Sequence, residues 1–184
     1  KLPPGYSIEW AGQFKYMEAA AQKLRIAVPI TIVLIFLLIY LNFGNVTETL
    51  IVMLSVPFAL IGGYWLLYGL GYNMSVAVAV GFIALAGVAT QTAIVMIVYL
   101  DEAFFHAKNE GQMKTIQDLE AAVIYGAVQR ARPVVMTATA MIIGLLPIMF
   151  GHGTGSDVMK RIATPMVGGL ITSTILTLLI IPAV

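Results

Sequence analysis

"MSVAVAVGFIALAGVATQTAIVMIVYL" runs from Met74 to Leu100 without a charged residue. A helix needs about 20 apolar residues to cross a hydrocarbon layer roughly 30 Å thick. This stretch therefore reads as a membrane span with length to spare. Deep inside it stand three consecutive polar side chains, Thr90, Gln91 and Thr92. In hydrocarbon each polar group must find a partner or cost free energy, so their presence needs a reason.

The composition agrees with a membrane protein. The 184 residues are 60% hydrophobic and only 10% charged, against about 25% charged in an ordinary soluble domain. The net charge of +1 and the lack of a basic cluster give no footing for nucleic acid. There is no cysteine, which excludes disulfides and thiolate metal sites in this segment. Soft-metal ligands would have to come from the ten methionines. The opening "KLPPGYSIEW" is not the apolar core of a signal peptide. Both ends read as cut, so the chain is expected to be a piece of a longer protein.

Working outward from Met74–Leu100, the chain contains four more apolar runs: Leu24–Leu41, Leu50–Leu70, Val134–Phe150 and Met166 to the end. "NFGNVTET" and "GYN" are short enough to make hairpins of spans one to three. "GHGTGSDVMKRIATP" is a glycine-rich link between spans four and five. Residues 1–23 are polar enough to lie outside the bilayer, and "GQFKYMEAAAQKLR" reads as a helix leading into span one. The connection 101–133 holds an amphipathic helix over 115–131. Thr115 and Asp118 make a capping box, and Ile116, Leu119, Val123 and Ala127 follow at helical spacing. The expected fold class is thus an all-α integral membrane domain over 24–184, with five transmembrane helices and one amphipathic interfacial helix. Membrane lipid is its first partner.

Small residues recur in the spans: "IGG" at 61–63, Gly81, Gly87, Gly144 and "VGG" at 167–169. They let helices approach closely. Ala84, Gly87, Val88, Gln91 and Val95 share one face of span three, which places Gln91 where a neighbouring helix can come near. Gly169, Thr172 and Ser173 form a small polar face on span five. Thr90, Thr92 and Thr137 read as polar helix-packing residues, their hydroxyls bonding back to the helix. No span interior carries a formal charge, although a proton-driven pump generally needs an ionisable group there. Catalytic signatures are absent: His106 and His152 stand alone, with no HExxH, no GxSxG and no paired intramembrane aspartates. An enzyme is not expected. His152, Asp157 and Met159 share one link, but a polar loop with unrelated roles explains His152 and Asp157.

"LPPGYSIEWAGQFKYM", "VPFALIGGYWLLYGLGYNMSVAVAVGFIALAGVA", "RARPVVMTATAMIIGLLPIMFGHGTGSDVMKRIATPMVGGLI" and the terminal "IIPA" cover nearly the whole chain. Together they resemble the heavy-metal efflux branch of the resistance–nodulation–division transporters, and within it the copper/silver pumps. The resemblance implies the C-terminal membrane part of a proton-driven antiporter in the bacterial inner membrane. It further implies a homotrimer joined to a periplasmic adaptor protein and an outer-membrane channel, with Cu(I) or Ag(I) as the transported ion and no bound cofactor. Residues 1–23 would then be the end of a periplasmic domain. The positive-inside count points the other way: Lys1, Lys15, Lys23, Arg25, Lys160 and Arg161 on the N-terminal side face Lys108, Lys114, Arg130 and Arg132 on the other. Long ordered motifs outweigh that small difference.

The resemblance also assigns residues. Met159 in "SDVMKRIA" matches a periplasm-side methionine of the metal relay. Gln91 and Val134 match two proton-relay positions that hold glutamate and lysine in the copper/silver pumps, and both are neutral here. Two other functions remain: a multidrug pump of the same fold, and a non-transporting scaffold or impaired paralogue. Acidic residues in the earlier membrane helices of the full protein would favour a pump over a scaffold.

Overall fold

A computed structural model describes residues 12–110 and 116–183. The described residues contain no strand. They form five long helices, α1 Gln13–Phe43, α2 Val46–Gly69, α3 Val76–Asn109, α4 Ile116–Phe150 and α5 Ser156–Leu179, and a short 3₁₀ helix at Ile181–Ala183. All five long helices have the length and apolar composition to cross a membrane. The chain divides into two compact units, Lys1–Asn42 and Phe43–Val184.

The first unit holds nearly all of α1. Its 31 residues run unbroken through Pro29, so the expected lead-in helix and span one are a single element of about 46 Å at 1.5 Å per residue. Val33, Leu34, Leu37 and Leu38 are exposed, as suits a lipid-facing surface.

In the second unit α5 is the central element, packed on α2, α3 and α4. Glycine decides how close it comes. A Cβ on Gly168 would lie 2.5 Å from the Gly62 carbonyl oxygen, and one on Gly62 would lie 2.7 Å from the Gly168 carbonyl oxygen. The two backbones touch directly, which any side chain would prevent. One turn along, a Cβ on Gly63 would lie 2.8 Å from the Pro165 carbonyl oxygen. The α3–α5 contact follows the same logic: Leu85 fills the space over Gly169, and Pro165 sits over Gly81. Ala59, Val78, Phe82, Leu85, Ala89 and Leu170 form the core around these contacts, and Tyr64 tilts against Phe82 with ring centroids 5.3 Å apart.

The turn between α2 and α3 is closed by its backbone. Tyr72 N–H donates to the Leu67 carbonyl at 3.2 Å and Gly71 N–H to the Tyr68 carbonyl at 3.1 Å. This is the Schellman pair, and it needs a left-handed residue at Gly71, whose φ is +70°. Ser75 then caps α3 by accepting from Val78 N–H at 3.4 Å.

The amphipathic stretch expected at 115–131 as an element of its own is the N-terminal half of α4. Thr115, its capping residue, lies outside the described residues. Helix α4 continues for 35 residues through Pro133 and Pro147. A proline inside a helix removes one hydrogen bond. Here packing on both sides of Pro133 holds the helix together: Gly126 sits against Leu100 and Ala103 of α3, and Val134 and Ala138 are buried. Helices α3 and α4 are each about 50 Å long, so both outrun a ~30 Å hydrocarbon layer. The surplus carries the charges, from Asp101 to Lys108 on α3 and around Asp118 and Glu120 on α4. It forms a polar hairpin beyond the apolar run that ends at Leu100.

Glycine at the α2–α5 contact should be irreplaceable. Gly62→Ala is expected to destabilise the protein by about 1–3 kcal/mol, the usual cost of overpacking. Gly69→Ala is the control: at the far end of the same helix an added Cβ meets nothing within 4 Å, so the change should be neutral or gain up to about 1 kcal/mol of helix propensity. Thermal unfolding of the purified protein checks both, and equal melting of wild type and Gly62→Ala would refute the close-contact reading.

Candidate functional site

The polar triplet of α3 separates into satisfied and unsatisfied groups. Thr90 donates its hydroxyl to the Ala86 carbonyl and Thr92 to the Val88 carbonyl, both at 2.8 Å. Thr137 on α4 does the same with the carbonyls of Pro133 and Val134, both at 3.0 Å. These three threonines are accommodated by their own helices.

Gln91 is different. It is exposed on the surface of this unit, and so is Gly87 one turn earlier. The packed face of α3 runs through Val78, Gly81, Phe82, Leu85, Ala89, Ala93 and Met96. No helix of this unit lies over Gly87, where an added Cβ would meet nothing within 4 Å. A primary amide has two donors and an acceptor, so a bare Gln91 in hydrocarbon would be costly. The surface at Gly87 and Gln91 is open in this unit.

Val134 has the opposite environment. It is 1% exposed and belongs to the core. Directly after Pro133, α4 turns this side chain inward, with Ala138 one turn further on the same face. Gln91 and Val134 therefore sit in distinct settings: one at the open surface, one inside.

Met159 occupies the first turn of α5, which places it and Asp157 on the helix and leaves His152 in the preceding loop. Gly155 caps that turn with φ +85°, and Met159 N–H donates to its carbonyl at 3.3 Å. Met159 is 56% exposed. Two residues on, the Arg161 guanidinium lies 5.7 Å from the centre of the Tyr72 ring, which joins this turn to the α2–α3 turn. Met74, also 56% exposed, belongs to that same turn. Among the described residues no three His, Cys, Asp or Glu side chains group as a metal site. A neutral thioether at this end is thus the available soft donor.

Sequence reasoning missed a polar cleft on the projecting hairpin. It has a volume of about 490 Å³ and is lined by Tyr99, Glu102, His106, Asp118 and Tyr125 among others. No spacing reveals it, because its lining comes from both α3 and the N-terminal half of α4, which tertiary packing brings together. The Arg130 guanidinium lies 5.3 Å from the centre of the ring of Tyr99, one of the lining residues, a favourable cation–π contact. Asp101, just past the apolar run, has its carboxyl held above the usual carboxylate range by burial and then by the charge of Glu48.

Known proteins share this arrangement. Residues 1–184 match the AcrB/AcrD/AcrF family. The cation efflux system protein CusA of Escherichia coli is 50% identical over 185 residues, which cover 100% of this chain and 18% of CusA. The nickel and cobalt resistance protein CnrA of Cupriavidus metallidurans is 42% identical over 183 residues, covering 100% of this chain and 16% of CnrA. A crystal structure of a heavy metal efflux pump superposes with a TM-score of 0.78 at 38% identity, covering 100% of this chain and 17% of that one. The chain thus spans less than a fifth of the length of these relatives. Matched from its first residue to its last, with the helices of a solved pump, the chain belongs to the AcrB/AcrD/AcrF family.

Proposed function

We propose that this chain is the C-terminal membrane part of a proton-driven heavy-metal efflux transporter, with Cu(I) or Ag(I) as its transported ion. The observation that carries this reading is the match to CusA at 50% identity across the entire chain. The chemistry of the residues supports it. A methionine thioether is a soft, neutral ligand that suits a soft monovalent ion, and Met159 presents one at an exposed helix end. With residues 1–23 on the periplasmic side of a bacterial inner membrane, the likeness to the efflux pumps supports a position for Met159, at the start of α5, on that same side.

The full-length protein is proposed to act as a homotrimer with a periplasmic adaptor and an outer-membrane channel. The open face at Gly87 and Gln91 is where helices from the remainder of that protein would meet α3. There Gln91 hydrogen-bonds within the proton-relay site without carrying a proton, while Val134, at the other matched position, serves as buried apolar packing. Neutrality at both positions favours one second reading, a paralogue whose proton coupling is altered.

Two measurements test this. Met159→Ile keeps the bulk and removes the sulfur. Cells relying on the full-length protein with that change are expected to lose copper and silver tolerance severalfold at equal expression, and full retention would remove Met159 from the transport path. For Gln91, metal-driven proton flux in proteoliposomes is followed across pH. Gln91→Leu should lower the flux, consistent with the loss of interhelical hydrogen bonds worth about 0.6–2 kcal/mol. Gln91→Glu should introduce a titratable group and shift the pH profile. Three identical profiles would make Gln91 a packing residue only.

A further inference from the structure

The buried polar side chains among the described residues are all hydroxyls: Thr49, Ser55, Thr164, Ser173 and Thr177. A threonine in an apolar helix ordinarily satisfies its hydroxyl on a carbonyl one turn back. Thr49 does so with Asn45 at 2.8 Å, Thr164 with Lys160 at 2.7 Å and Thr174 with Leu170 at 2.7 Å. Thr177 breaks the pattern. It is 0% exposed, and its hydroxyl has no partner. Buried polar groups in folded proteins are nearly always paired, and an exception calls for a specific explanation, such as an ordered water.

The surroundings of Thr177 follow from the helix register. Helix α5 runs antiparallel to α2, with Gly168 against Gly62 and Gly169 against Ala59. It runs parallel to α3, with Pro165 against Gly81 and Gly169 against Leu85. Continuing both registers along α5 brings Ser173 level with Ser55 of α2 and Ala89 of α3. Thr177 comes level with Val52 and Ala93. Ser173 lies one turn before Thr177 on the same face and is 4% exposed, while Ala89 and Ala93 are 1% and 0% exposed. Level with Ser173 and Thr177, α3 therefore presents the methyl groups of Ala89 and Ala93.

We infer that Ser173 and Thr177 hold one internal water molecule between α5, α2 and α3. A buried water typically makes about three hydrogen bonds. The two hydroxyls supply two partners, and the second lone pair of the Ser173 carbonyl supplies a third. None of these groups carries a formal charge, so the site suits a neutral guest of one heavy atom and not a cation. It lies in the packed core, away from the open face of Gln91, and it stands whether or not the proposed transport function does.

The test is an experimental structure of the full-length protein at a resolution that shows ordered water, with Thr177→Val and Thr177→Ser alongside. Density at hydrogen-bonding distance, about 2.7–3.0 Å from the Thr177 hydroxyl oxygen, is expected in the wild type and in Thr177→Ser, and not in Thr177→Val. A Thr177 hydroxyl bonded to the Ser173 carbonyl with no such density overturns the inference. Thermal unfolding gives a second readout. Thr177→Val keeps the volume but removes the group that anchors the water, so it should melt a few degrees lower than wild type while Thr177→Ser stays close. A Thr177→Val protein melting at or above the wild-type temperature also overturns it, because valine would then merely relieve an unpaired hydroxyl.

Discussion

The contact of the α2 backbone with the α5 backbone is the constraint on which the second unit depends. Water drives apolar helices together in a soluble protein, but lipid tails are as apolar as leucine and give no such push. Close packing has to supply the attraction. At Gly62 and Gly168 nothing stands between the helices but main chain, and each glycine needs the other. Once that distance is set, Leu85 fits over Gly169 and Pro165 over Gly81. Helix α3 then has a fixed place, and α4 is laid against α3 and α5.

Most of this architecture was legible in the sequence. Long apolar runs define spans because the bilayer allows no unpaired backbone, and the short link "GYN" leaves a hairpin of α2 and α3 as the solution. Two features were not legible. Pro133 reads as a helix boundary, yet α4 passes through it, since the packing of Gly126 and Val134 lies beyond any local signal. The packed face of α3 was also obscured. A helix that is apolar all round has no stripe to betray its core side. Its small residues lie on two faces: Gly81 and Ala89 are buried, while Gly87 is open.

The candidate site was legible in a similar, uneven way. The bonding of Thr90, Thr92 and Thr137 to their own helices follows from residue type alone. The contrast between an exposed Gln91 and a buried Val134 does not, because it depends on which side of α3 the other helices occupy. The polar cleft and the unpaired Thr177 hydroxyl were invisible for the same reason. Each arises from residues far apart in the chain that tertiary packing brings to one level.

Met159 had been read as part of a loop, and its position on α5 changes what its sulfur is free to do. The first turn of α5 and Gly168 belong to one continuous helix, separated by about 13 Å along its axis. Above Met159 the link to α4 turns at Gly153 and Gly155, whose φ values are +154° and +85°. Below it the helix is clamped against α2. The side chain can change rotamer, but its Cα cannot travel unless α5, and with it α2 and α3, travels too. In the transport role proposed for Met159, an ion handed to or from its thioether would be carried by the motion of other ligands or by the whole helical block, as cargo is passed at a fixed quay and not by a swinging arm.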